Sequence, residues 1–311
     1  MTASTKQDAP SGEAVANAPV GRPRQSRHDA VTAVLPGWLR VVVLTLLVAA
    51  VTIPVGYILV ASFMPDVDVA NGQIVPDEIT TQNYVRMWST VDLAGGLANS
   101  LVVSGIVAII SAMIATITAY CLVRFAFRGR LTILRGLVAL QSLPGTLLLL
   151  PIFVLFSSAR TYLDITIIGT RFGLIVTYLT FALPFSTWVM VTYLRGLPRE
   201  LEEAAMLDGC SPIGVLRRVV VPLSWPGIVV AAVFAFLLGW NDVLFASVMT
   251  RPETETVAVA LQVFGLSQEG GAIPLYGQLM SSALVCALPV VVLYMIFQRY
   301  LVGGLTAGGV K

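Results

Sequence analysis

Six apolar runs of about 20 residues or more divide this sequence, near 39–63, 97–123, 136–158, 172–195, 226–249 and 279–301. A helix of about 20 residues covers about 30 Å, the thickness of a bilayer's hydrocarbon core. Within lipid every backbone N–H and C=O needs an internal partner, so runs of this kind fold as helices. The expected fold is an all-α polytopic membrane protein with six transmembrane helices. Composition agrees. The chain is 57% hydrophobic and 12% charged, with a mean hydropathy of +0.85, whereas a soluble domain carries about 25% charge. Pro144, Pro184 and Pro289 fall inside three of the runs and are expected to kink them.

The basic residues set an orientation. Fifteen of the 19 Lys and Arg lie in the amino tail through Arg40, in the 124–135 and 195–225 loops, and in the carboxyl tail. Arg86, Arg160, Arg171 and Arg251 make up the opposite side. The positive-inside rule then places both termini and the 195–225 loop in the cytoplasm. Residues 1–37, rich in Ala, Pro, Ser and Arg without apolar periodicity, read as a disordered cytoplasmic tail. The first run lies too deep and is too long for a secretory signal. Residues 38–303 then form the membrane domain and 304–311 a carboxyl tail. The outward segments, 64–96 and 250–278, are too short for a substantial binding module, so any such module belongs to another chain. Heavy use of Arg, Ala and Val suggests a GC-rich bacterial genome, hence a bacterial inner membrane.

Several chemistries are excluded by residue type. A nucleotide-binding P-loop needs a Lys after a Gly-rich turn, and the only lysines are Lys6 and the terminal Lys311. No G-x-G-x-x-G occurs. His28, the only histidine, lies in the polar tail, which removes His-based triads and zinc motifs. Cys121, Cys210 and Cys286 have no metal spacing and read as small buried residues. The spans hold one acid, Asp242, in the outer third of the fifth. It is either an interfacial acid facing water or part of a polar vestibule lining, and it is thin support for ion coupling. No cofactor, metal or catalytic residue is expected on this chain.

Against that background, the stretch 202–222, EEAAMLDGCSPIGVLRRVVVP, is conspicuously polar. Pro198 can open a helix, since the first position needs no N–H. Glu200, Glu202 and Glu203 fall in its first two turns, where the helix dipole favours acids. Gly209 is placed to end it in a left-handed conformation. Leu201, Ala204 and Ala205 are expected to press on the bundle, leaving Arg199, Glu202, Glu203 and Met206 outward. Ser211 and Pro212 signal a second short helix, which Pro222 is expected to stop. A plain connection needs only a few residues. Two short helices hinged at Gly209 in a loop of about 30 residues favour an interaction surface.

Glu203-Ala204-Ala205, three residues, Gly209, then Val219-x-Val221-Pro222 resembles the EAA loop of ATP-binding cassette (ABC) importer permeases. Asp208 before the glycine is also typical. Asn99-Ser100, Ala119-Tyr120, Arg124-Phe125-x-Phe127-Arg128-Gly129, Trp240-Asn241-Asp242 and the Gln298-Arg299…Gly304–Lys311 ending resemble the carbohydrate branch, and specifically the second permease of maltose-type systems. The resemblance covers most of residues 39–311. It departs from the usual pattern in Val219 and Val221, in Gly309, and in the missing final glycine.

This resemblance implies a type I ABC importer permease fold and a non-catalytic subunit of a sugar importer, for a di- or oligosaccharide. Glu202, Glu203, Ala204, Ala205, Asp208, Gly209 and Pro222 would form the coupling element seated on a separate ATPase, which binds ATP and Mg. The tail residues Gly304, Leu305, Thr306 and Lys311 would also reach the ATPases. A related second permease would complete the pathway, and an extracytoplasmic sugar-binding protein would deliver substrate. Tyr178, Asn241 and Ser281, polar positions in the outer halves of three spans, are candidates for the sugar path; helix–helix hydrogen bonding is the competing role for each. Glycerol phosphate or a polyamine is the alternative cargo, and an ion-coupled carrier the alternative class.

Overall fold

The computed structural model describes residues 36–266 and 274–307. In order the helices are α1 (Gly37–Ala61), α2 (Asp66–Ala70), α3 (Gln82–Thr90), α4 (Leu93–Arg124), α5 (Arg130–Gln141), α6 (Gly145–Leu163) and α7 (Arg171–Arg195). They continue with α8 (Glu200–Leu207), α9 (Pro212–Val215), a π-helical turn (Leu216–Val220) and α10 (Val221–Leu223). The last are α11 (Trp225–Asn241), α12 (Leu244–Met249), α13 (Val257–Leu266) and α14 (Tyr276–Ala307). No strand occurs among the described residues. The chain divides into two units, Met1–Val55 and Gly56–Lys311, with the boundary inside α1. The described part of the first unit is the apolar start of α1, opened by Pro36, whose carbonyl accepts the N–H groups of Leu39 and Arg40. The second unit holds everything that follows.

Five helices, α1, α4, α6, α7 and α14, are long and apolar enough to cross a bilayer. A sixth crossing results if Pro212–Leu223 and Trp225–Asn241, bent by 75°, count as one span. Two of the expected runs are divided. The 136–158 run breaks at Ser142–Pro144, because proline lacks an N–H and pushes its predecessor out of the α region. Pro144 therefore ends one helix and precedes another, whereas Pro184 and Pro289 lie inside α7 and α14. The 226–249 run breaks after Asn241. The Asp242 carboxylate takes up the N–H groups of Phe245 (3.5 Å) and Ala246 (3.0 Å), starting α12 afresh.

The core of the second unit is the mutual packing of α4, α7 and α11. Lipid is as apolar as leucine, so close backbone approach and interhelical hydrogen bonds hold such helices, each bond worth about 0.6 kcal/mol. The sequence supplies both. Gly239 lies so close to α4 and α7 that a Cβ there would sit 2.9 Å from Ser104 Oγ and 3.1 Å from the Tyr178 ring. Gly227 lies equally close to the Tyr193 ring. Ser111 donates to Ser186 across α4 and α7 at 2.8 Å, both side chains buried. Parallel α4 and α7 thus define two ends, one carrying Asn99 and Arg171, the other Arg124, Arg195 and the α8–α10 loop.

Candidate functional site

The α8–α10 loop is built by local signals. Gly209 adopts φ +87°, a conformation costly for other residues, and α8 closes on it as a Schellman motif. Gly209 N–H donates to the Met206 carbonyl and Cys210 N–H to that of Ala205, each at 3.0 Å. Two residues later Ser211 Oγ accepts from Gly214 N–H at 3.2 Å and Pro212 occupies the first turn of α9. The expected pair of short helices about Gly209 is what the fold contains.

The faces of α8 differ from expectation. Glu202 is buried and pairs with Arg124, the last residue of α4, at 2.6 Å, with side chains 6% and 9% exposed. Arg124 also donates to the Leu197 carbonyl (3.2 Å), and Arg199 donates to the Val123 carbonyl (3.3 Å). Glu202 therefore points inward, because a basic residue from a distant helix meets it there. Removing one member of a buried pair strands the other charge, at about 3–5 kcal/mol. Ala205 packs half-buried beside Glu202, while Leu201 and Ala204, expected to face the bundle, are exposed.

Exposed on the loop are the acids Glu200, Glu203 and Asp208, the bases Arg199, Arg217 and Arg218, and, on α8 and α9, four large apolar side chains: Leu201 (45% exposed), Met206 (48%), Leu207 (89%) and Ile213 (77%). Charged groups and large exposed apolar side chains around a rigid turn make a surface suited to a protein partner. Pro222 does not stop the second helix. The π turn before it widens the backbone, so that Pro222 enters α10 without clashing with the preceding turn, and the chain bends at Ser224 instead.

Tyr178 is buried, and its hydroxyl donates to Asp242 at 2.9 Å. Ser281 is buried, donating to the Gln278 carbonyl at 2.9 Å. Asn241 is exposed, its amide donating to Leu237 one turn back. These three residues thus stand in different settings, two buried and one exposed. Gly304, Leu305 and Thr306 continue the α14 backbone, and Lys311 lies outside the described residues.

The far end holds residues whose roles no sequence pattern specifies. Buried Asn99 donates to the carbonyls of Glu253 (3.2 Å) and Glu255 (2.8 Å) and accepts from Arg171 Nε at 2.8 Å. Its neighbour Ser100 accepts from Val257 N–H at 2.8 Å. This pair ties the 252–257 segment to the start of α4. Asp66 likewise accepts from the Gln278 backbone and side chain at the start of α14, and Gln278 accepts from Thr90. A groove of about 440 Å³ beside this knot is lined by Asp66, Glu78, Thr80, Asn83 and Arg86, among others. The motif pairing of Asn99 with Ser100 was the one available signal, and it carried no geometry. Among the described residues no group of three His, Cys, Asp or Glu side chains could hold a metal ion.

Comparison with known proteins gives a consistent result. The family model described as binding-protein-dependent transport system inner membrane component matches residues 111–306. The trehalose transport system permease protein SugB of Mycobacterium tuberculosis is 34% identical, covering 86% of this chain and 95% of the relative. The maltose/maltodextrin transport system permease protein MalG of Escherichia coli is 32% identical over 86% and 93%. Among solved structures, a chain of a bacterial ABC transporter involved in the import of the acidic polysaccharide alginate superposes with a TM-score of 0.70 at 20% identity. That match covers 90% of this chain and 99% of the other, so the fold is that of an ABC importer permease. A helical bundle of this form, carrying an EAA-type loop at one end, belongs to the family of inner membrane components of binding-protein-dependent transport systems.

Proposed function

We propose that this chain is one of two permease subunits in an ATP-driven importer of a di- or oligosaccharide, coupled to separate ABC ATPases through residues 196–225. The observation that carries this reading is the outward face of α8 and α9. It exposes Glu203 and the large apolar side chains Leu201, Met206, Leu207 and Ile213 about the fixed turn at Gly209. Relatives named as trehalose and maltose permeases support the sugar class. The charge bias supports cytoplasmic termini and a cytoplasmic α8–α10 loop in a bacterial inner membrane.

In this scheme the ATPases bind ATP and Mg, and this chain performs no covalent chemistry. Closure of the ATPases stabilises one arrangement of the bundle over another through contacts that differ between the two states. Glu203 supplies a charge-assisted hydrogen bond to the ATPase, while Ala204 and Asp208 sit at the contact. The residues from Gly304 to Thr306, with Lys311, add a second contact. At the far end an extracytoplasmic binding protein delivers sugar near the 252–257 segment and the Asp66 groove. Asn241, exposed at the end of α11, contributes to the sugar path, and the buried Tyr178 and Ser281 support the helices around it.

Reversing the charge at Glu203 tests the central claim. Glu203→Lys should insert normally into the membrane yet lose co-purification with the ATPase and sugar uptake by tenfold or more. Normal co-purification and normal uptake would refute the coupling role. Uptake measured across trehalose, maltose and longer glucans, with the cognate binding protein, identifies the cargo.

A further inference from the structure

We infer that Glu202, rather than meeting the ATPase as its neighbour Glu203 does, is the positioning residue that joins the coupling loop to α4 through Arg124. This rests on the proposed role of the loop and assigns the route by which its movement enters the bundle. Three observations carry it. The Arg124–Glu202 contact is 2.6 Å long and both side chains are nearly excluded from solvent, so neither is available to another chain. The contact is reinforced in both directions, by Arg124 to the Leu197 carbonyl and by Arg199 to the Val123 carbonyl. These bonds close a ring between the last turn of α4 and the residues that open α8. Finally, the two glutamates are adjacent in sequence but divide by burial, Glu202 inward and Glu203 exposed.

Without this ring α8 would be tied to the bundle mainly by the half-buried Ala205 and by its own covalent connections. A helix of two turns held only by its ends can tilt without moving its neighbours. With the ring in place, a displacement of α8 is a displacement of the end of α4. That helix packs along both α7 and α11, so the movement reaches the three-helix core directly. Arg124 suits this task, since its planar guanidinium can hold a carboxylate and a carbonyl at once.

The test uses the assembled transporter, with ATPases, sister permease and binding protein, in proteoliposomes. Wild type must first co-purify with its ATPase; if it does not, the proposed function and this inference fall together. Glu202→Gln, which keeps the shape of the side chain, is expected to retain ATPase co-purification. Sugar transported per ATP hydrolysed should nevertheless fall by tenfold or more. The swapped pair Arg124→Glu with Glu202→Arg should recover at least a third of the wild-type ratio, which loss of general stability would not predict. The inference is overturned if Glu202→Gln keeps the wild-type ratio, or if it detaches the ATPase as Glu203→Lys does. Should the single variant fail to accumulate, a swapped pair that accumulates but stays uncoupled also overturns it.

Discussion

Gly209 shows how much one position can hold. Its φ of +87° closes α8 and redirects the chain into α9, and apart from itself and its two chain neighbours no residue comes within 4 Å of where a Cβ would be. Substitution there is therefore a backbone experiment with little steric confusion. An alanine in the left-handed region costs about 1–2 kcal/mol, and asparagine, which visits that region more readily, costs less. Gly209→Ala should lower the thermal midpoint and ATPase co-purification of the complex, with Gly209→Asn intermediate between it and wild type. This residue, Ser211 and Pro212 were legible in the sequence, because a left-handed turn and a capped start are dictated by neighbours a few positions away. Glu202 was not. Its helical face predicted an outward acid, and only Arg124, 78 residues earlier, turns it inward.

Among elements, the break between α11 and α12 is the informative one. Hydropathy runs unbroken across 226–249 apart from Asn241 and Asp242, so a single span was the natural expectation. The carboxylate ends that continuity by taking two backbone N–H groups for a new helix and one hydroxyl from Tyr178. Asp242→Ala should cost about 1–2 kcal/mol through loss of the helix start, and Tyr178→Phe about 0.6 kcal/mol through one interhelical bond. Thermal unfolding of the two variants and of their combination measures this. The double variant should be little worse than Asp242→Ala alone, since the hydroxyl has already lost its acceptor. The break at Pro144, by contrast, is visible in the sequence as a proline, which predicts only a kink. Proline reports that the helix is disturbed, and whether it bends or ends depends on the packing around it.

For the molecule as a whole, the sequence revealed the class and the number of apolar runs but not how the far end is fastened. That fastening depends on Asn99 meeting carbonyls more than 150 residues away, a pairing that no periodicity encodes. Asn99→Ala would leave the guanidinium of Arg171 and two carbonyls without their shared partner, at about 1–3 kcal/mol. The 252–257 segment should then open more often. In membranes oriented with that end accessible, cleavage by a glutamate-specific protease after Glu253 or Glu255 should run several-fold faster than in wild type. Unchanged cleavage would mean that the segment is held by other contacts.

One helix, α4, is fastened at both ends: by Asn99 and Ser100 to the 252–257 segment, and by Arg124 to Glu202. With 32 residues it is about 48 Å long. Two places on one stiff body cannot keep separate accounts of its position. If docking at the Arg124 end favours one placement of α4, then whatever prefers that placement at the Asn99 end binds more tightly by the same factor, and the reverse holds equally. Through one helix, a partner seated at either end of α4 can thus sense whether the other end is engaged.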